Sequence, residues 1–364
     1  NGRARAPAPF REDRIMAENG KLRIGIFGIG HNHAAAAITA LKAREDVEIV
    51  GLCEPDDAVR EKRLRENPDV YGDIPVMSEE RLLASGIRAA MVEASVPELV
   101  PTALRCAEAG LHIHMDKPAG IDLSLYRTFL DVMREKHLVF QTGYMYRYNA
   151  GVRYVLERVR DGALGRIYNI TAEMCTKHPD WFERQLIGYG VKAPVMYIFG
   201  GHLIDLCMQV KGIPADLTAF HTESGDGDIH FEDTSLAVLT YPDGIATVRV
   251  SSCEVNGWGL REFTVYGERG TISVSPLESP MHIRETMLAE QEPWKDRYHT
   301  VDVPEVGRYD VMMHDFVYMV EGKIPYDVDF THEYLLQKLT LEACGYTAEE
   351  MNANASITAR VSGD

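Results

Sequence analysis

Over its first 143 residues the chain alternates short apolar runs with helix-length stretches, and no other feature limits the possible folds as much. LRIGIFG (22–28) is an apolar run closed by glycine, and HAAAAITALKAR follows with helical character. VEIVGLCEPD is a second run ending in acids, and the charge-laced DAVREKRLRE comes next. RAAMVEAS, ELVPTALRCAEAG, LHIHM, LSLYRTFLDVMREK and LVFQTG continue the pattern. Runs that are apolar throughout suit strands buried on both faces, and their alternation with helices predicts right-handed βαβ units on a parallel sheet. The expected class is α/β, with a doubly wound parallel sheet.

Beyond Asn149 the pattern changes. After the helical GVRYVLERVRDGAL, the segments GRIYNITAEMCTK, TSLAVLTYPDGIATVRVSSCEV and REFTVYGERGTISVSP read as strands joined by Pro-Asp-Gly and Glu-Arg-Gly turns. They predict a C-terminal α+β domain with an open, mainly antiparallel sheet, and the helical HEYLLQKLTLEACGYTAEEM comes after it. A chain of 364 residues exceeds what one core usually organises. Two domains are expected, over residues 21–143 and 144–364. Residues 1–20 are read as a leader or upstream segment, since NGRARAPAPFREDRI is rich in Arg, Ala and Pro without an apolar secretion core, and Met16 has the look of a natural start.

The formal net charge of −17 disfavours nucleic acid and anionic lipid as partners. The apolar runs are too short to cross a bilayer, so no membrane span is expected. The six cysteines form no CxxC pair or closely spaced ligand set, which predicts a reduced, cytoplasmic compartment.

In GIFGIGHNHAAAA, Gly28 and Gly30 stand where a strand turns into a helix. Such a turn lets backbone N–H groups approach a diphosphate at the positive helix end, and Ile29, His31 and Asn32 join the two glycines as candidate dinucleotide contacts. A Gly-x-Gly is equally compatible with plain turn chemistry, but Glu54 closes the second strand where a carboxylate would take the ribose hydroxyls and repel a 2′-phosphate. NAD is therefore favoured over NADP, a preference that Arg60 and Lys62 temper. His31 and His33 have the i, i+2 spacing of metal ligands, yet no neighbouring carboxylate or cysteine completes a set, and no metal is expected. Asp116-Lys117-Pro118 follows a strand directly. In an open α/β sheet ligands sit beyond the strand carboxyl ends, so Lys117 is placed to stabilise an alkoxide at the nicotinamide end of a bound dinucleotide. A surface lysine in a turn is the plainer alternative.

In order and spacing, RIGIFGIGHNH, EIVGLCEPD, ALRCAEAGLHIHMDKPAG, QTGYMYRYNAGV, GALGRIYNI, GGHLIDLCMQVKG and EFTVYGERGTISV resemble the Gfo/Idh/MocA family, which includes glucose-fructose oxidoreductase and inositol dehydrogenase. The resemblance runs from about Lys21 to beyond Val274. It implies an N-terminal Rossmann domain, a C-terminal α+β domain used for homodimer or homotetramer formation, and NAD(P)-dependent oxidation of a secondary hydroxyl on a sugar, polyol or related compound. By position, Asp116-Lys117-Pro118 matches the family's Glu-Lys-Pro and supplies its catalytic lysine. His202 matches the general base, and Asp205, one turn further on, either orients that ring or supports it. Asp116 joins the cofactor-binding candidates. So do Ser95 and Glu98, in a segment, ASVPELVP, that departs from the family's Thr-Pro-Asn-x-x-His. Ile198 stands where many members have an aspartate. Tyr144, Tyr146 and Arg147, with Lys177, His178 and Trp181, are candidates for a carbohydrate-binding rim. The leading expectation is hydride transfer with a carbohydrate-like substrate. Its rivals are a dinucleotide-binding regulator without turnover and an NAD-assisted glycoside hydrolase.

Overall fold

A computed structural model describes residues 20–224, 228–288, 297–304 and 306–353. The segment read as a leader therefore lies, but for its last residue, outside the described residues. Strands β1 (Leu22–Phe27), β2 (Val47–Cys53), β3 (Ala89–Val92), β4 (His112–Met115) and β5 (Phe140–Thr142) form a parallel sheet in the order β2-β1-β3-β4-β5. A single parallel bridge from Leu52 to Val76 extends it beyond β2.

The all-apolar strand composition has the expected cause, since β3 is buried throughout and helices cover both faces. Ile24 and Ile26 pack with Ala34, Ile38 and Leu41 of the Ala34–Lys42 helix. Phe27 and Val92 pack on the other side with Leu99 and Ala103 of the Leu99–Glu108 helix and Phe129 of the Leu123–Glu135 helix. At about 25 cal/mol per Å² of apolar surface, this two-sided burial supplies most of the drive to form the layer.

Eight further strands form the second sheet: β6 (Ile167–Cys175), β7 (Asp216–Thr222), β8 (Thr234–Tyr241), β9 (Gly244–Ser251), β10 (Glu262–Gly267), β11 (Gly270–Val274), β12 (Ile283–Met287) and β13 (His299–Val301). Their order is β13-β12-β11-β10-β6-β9-β8-β7, antiparallel except for β6 beside β9. The Pro-Asp-Gly and Glu-Arg-Gly segments close the β8–β9 and β10–β11 hairpins as expected. Ala237, Leu239, Val248, Val250 and Phe263 bury the inner face, in one cluster with Leu203, Ile204 and Leu206 of the Gly201–Lys211 helix.

The C-terminal helices return to the N-terminal layer. The Asp310–Val320 helix brings Phe316 against the His114 ring, and the Phe330–Ala343 helix supplies Gln337, whose side chain accepts from the Ala119 amide. The two sheets are thus joined by more than the segment around Tyr144–Asn149. Among the described residues no helix is long and apolar enough to cross a membrane, and all six cysteines are free.

Candidate active site

The glycine turn is pressed against the segment that follows β3. Gly28 has φ +81°, and a Cβ there would lie 2.3 Å from the Ala94 Cα; one on Gly30 would lie 2.8 Å from the Ser95 nitrogen. Glu54 closes the turn from β2, accepting from the Ile29 amide at 2.9 Å and the Asp56 amide at 3.1 Å. Its carboxylate thus lies beside the turn. Ser95 accepts the Glu98 amide through its carbonyl, and the Glu98 side chain is exposed. Of the neighbouring cations, Arg60 pairs with Asp57 and Lys62 is exposed beside Glu66. Arg63 reaches the turn instead, donating to the Gly30 carbonyl at 2.8 Å and to Asn32 at 3.0 Å. Sequence reading passed over it because one arginine on a charged helix carries no signal. Asn32 in turn donates to Gln185 at 3.2 Å, linking the turn to the second domain.

Lys117 and His202 are both buried near the carboxyl end of the parallel sheet, close enough for the ammonium to act on the imidazole. Lys117 is 2% exposed, and its ammonium donates to the Ile198 carbonyl at 2.8 Å. Ile198 belongs to a π-helical turn, Met196–Gly200, that leads directly into the helix bearing His202. Widened turns of this kind cluster at functional sites. Burial, partly opposed by Asp116 and aided by Arg308 and Arg261, lowers the Lys117 pKa to about 8. His202 is 1% exposed, and neither ring nitrogen has a hydrogen-bond partner. Burial, then the Lys117 ammonium, His33 and Arg308, hold it well below the ordinary imidazole value. A buried imidazole with both nitrogens unpaired is costly unless something else fills the site.

Tyr144 and Tyr146 wall this imidazole, with ring centroids 5.4 and 5.3 Å from it. Both tyrosines are buried, so they pack against the imidazole and do not form an exposed rim.

Two expectations need correction. Asp205 does not orient His202: its carboxylate is taken by Arg147 at 2.8 Å to each oxygen, by His332 at 2.8 Å and by Gln209 at 2.9 Å. Burial raises its pKa, but Arg147 and His332 outweigh that and hold it at about 2. Arg147 is not free to bind a substrate either, because it also pairs with buried Glu333. These residues form an ionic brace between the domain boundary and the C-terminal helix.

His178 is stacked against Phe182 and Phe199, its centroid 4.5 and 5.2 Å from theirs, and burial followed by Arg261 lowers its pKa to about 4. Phe199 also lies 5.9 Å from the Lys117 ammonium, so His178 is linked to Lys117 only through that ring. Trp181, 63% exposed, and Lys177 stay at the surface. Arg261 and Arg308, unread in the sequence, share Glu278 at 3.0 Å each and stack on Trp258. Two guanidiniums against one carboxylate leave this wall cationic.

His31 and His33 meet Asp116 at 3.2 and 2.9 Å. The carboxylate missing from the neighbouring sequence is thus supplied from another strand end, and the three residues form a group able to hold a metal ion.

Residues 152–273 match the GFO/IDH/MocA C-terminal domain. The chain is 26% identical over 201 residues to D-glucoside 3-dehydrogenase of Escherichia coli, covering 53% of this chain and 55% of that protein, and so spans about half of that relative. It is 22% identical over 286 residues to myo-inositol 2-dehydrogenase of Thermotoga maritima, covering 76% of this chain and 80% of the other. Among solved structures, a UDP-N-acetylglucosamine 3-dehydrogenase from Acidithiobacillus ferrooxidans superposes with a TM-score of 0.72 at 18% identity, over 91% of this chain and 99% of that one. This last likeness is one of fold.

Proposed function

Because the chain carries a GFO/IDH/MocA C-terminal domain behind a parallel dinucleotide-type sheet, we propose that it is an NAD(P)-dependent oxidoreductase acting on a secondary hydroxyl or ketone of a sugar or polyol. One observation carries the reading: a buried lysine ammonium and a buried, unpartnered imidazole lie together at the strand ends. The residues fit a dinucleotide. The Gly28, Ile29 and His31 amides are engaged within the protein, so the amides of Gly30 and Asn32 would hold its diphosphate and Glu54 its ribose, with NAD favoured by that carboxylate. When bound, the dinucleotide supplies the hydride acceptor. His202, neutral and free of competing hydrogen bonds, takes the proton of the substrate hydroxyl. Lys117 hydrogen-bonds the same oxygen and stabilises its growing negative charge. Tyr144, Tyr146 and Phe199 keep water from the exchange.

The two named dehydrogenase relatives support a cyclic polyol or glycoside as substrate. The exposed Tyr168, Phe220 and Ile245 of the second sheet support its use as a homodimer or homotetramer face, in a cytoplasmic enzyme. Light scattering on purified protein tests the assembly, and a monomer would rule it out. The activity is tested with NAD and NADP against a panel of glycosides and inositols, following nicotinamide absorbance. Turnover by the wild type that is lost in Lys117→Met supports the reading. No turnover with any panel member, together with no dinucleotide binding by calorimetry, overturns it.

A further inference from the structure

We propose that His31, His33, Glu93 and Asp116 form a binding site for a divalent first-row transition-metal ion beneath the glycine turn. The four side chains come from three segments: the turn after β1, the end of β3 and the end of β4. One donor atom each from His31, His33 and Asp116 lie within 4.8 Å of one another. Within this group the separations are 2.9 Å (His33 to Asp116) and 3.2 Å (His31 to Asp116), and Glu93 stands outside the group, 3.8 Å from His31. A tetrahedral ion with bonds of about 2.0–2.1 Å spaces its ligand atoms about 3.3–3.4 Å apart, in the middle of that range. Imidazole with carboxylate is a donor set suited to zinc, manganese or iron rather than to calcium or magnesium.

An independent observation is Glu93, which is 0% exposed while neither of its carboxylate oxygens has a hydrogen-bond partner. Asp116, 1% exposed, adds a second buried carboxylate. Among the described residues, the groups within 4 Å of these two that could carry positive charge are His31, His33 and His114. Hydrogen bonding assigns bare nitrogens to two of these rings. Gln141 donates its amide to Tyr148 and to the Met312 carbonyl, so its oxygen accepts from His114 Nδ1 at 2.8 Å. In a neutral ring that leaves His114 Nε2 without a proton, 3.6 Å from a Glu93 oxygen. His31 Nδ1 accepts the His33 amide and lies 3.2 Å from Asp116, so an ion bound through this nitrogen would take the place of that amide contact. Asp116 is already served by the Lys117 amide at 2.7 Å and by His33 at 2.9 Å, so the buried group left without a partner is the Glu93 carboxyl, and a dication beside it would supply one. Bound there, the ion ties the glycine turn to the strand ends that carry Asp116 and Lys117. His114, its other nitrogen held by Gln141, backs Glu93 from outside.

The test uses the full chain without dinucleotide or substrate, so it can fail while the hydride-transfer reading stands. Protein from metal-supplemented growth is desalted and analysed by plasma mass spectrometry, then stripped and titrated with Co²⁺. About one ion per chain and saturable visible Co²⁺ bands are expected. Glu93→Gln and His33→Asn, each checked for fold by circular dichroism, should weaken Co²⁺ binding by about 10–100-fold or more, and His314→Asn should leave it unchanged. No saturable binding to folded wild-type protein, or binding that survives both ligand substitutions, overturns the site. The wild-type titration decides alone if the variants do not fold.

Discussion

Lys117 donates its ammonium to the main-chain carbonyl of Ile198, 2.8 Å away and four residues ahead of His202. The bond holds a strand end of one domain against the helical turn of the other, so each group's position depends on both. Lys117→Met should keep the circular dichroism spectrum and lower kcat by about 10²–10⁴-fold, the usual scale for a lost charge-stabilising or proton-moving group. Because the backbone of Ile198 makes the bond, Ile198→Val should keep turnover and cost about 0.5–1.5 kcal/mol in urea unfolding. A folded Ile198→Val protein without activity would move the role to the side chain.

His202→Asn should separate binding from chemistry. With both imidazole nitrogens free of partners, no structural hydrogen bond is lost on substitution. Dinucleotide affinity measured by calorimetry should hold while kcat falls by about 10²–10⁴-fold. Equal losses in both would mean that the ring supports the pocket and does not move the proton.

Arg147 should matter more for stability than for substrate affinity. Arg147→Met strands the buried carboxylates of Asp205 and Glu333, which should cost about 3–5 kcal/mol in urea unfolding. Asp205→Asn should also destabilise, yet reduce kcat by less than the ~10²-fold expected of a residue in proton transfer. A kcat loss as deep as that of His202→Asn, in folded protein, would return Asp205 to the chemistry.

The same brace sets a pH dependence with two opposite signs. Asp205 is held at about 2 against an ordinary 3.8, so its contribution is present above pH 3.8 and is lost as pH falls through about 2. The shift corresponds to on the order of 2 kcal/mol. His332 is shifted the other way: burial lowers it, but its bond to Asp205 wins and raises it above 6.5. Its contribution is therefore complete below pH 6.5 and fades as pH rises through the raised value. Thermal melts of wild type and His332→Gln should differ most on the acid side of neutrality and converge toward higher pH; a gap that widens with rising pH would contradict the assignment.

Gly28→Ala should damage the turn itself. The residue has φ +81°, and the new methyl would meet the Ala94 backbone, so the two segments must separate. A stability loss of about 1–3 kcal/mol from backbone strain is expected, with weakened dinucleotide binding by calorimetry. Unchanged affinity would place the diphosphate elsewhere.

The features legible in the sequence were those written locally. The strand and helix alternation, the glycine turn, the Pro-Asp-Gly and Glu-Arg-Gly hairpins and the lysine at a strand end each depend on a few adjacent residues, and each takes its expected place in the fold. Partnerships across long separations were not legible. Asp116 completes the histidine pair from 83 residues away, and Glu333 claims Arg147 from 186. Arg147 looked like a rim residue because nothing near it foretells a buried partner. Glu93, inside VEAS, carried no signal in the sequence, and only its neighbours in space reveal that no donor serves it.

The five-residue turn Met196–Gly200 also controls register. An ordinary helix advances about 100° per residue, so closing this turn to normal pitch with all its residues retained would swing every later side chain of that helix by roughly that angle. His202 would face away from Lys117 and one of its neighbours would take the pocket. A one-residue deletion here would instead let the turn close while His202 keeps its phase, so the extra residue is what the wide turn exists to absorb.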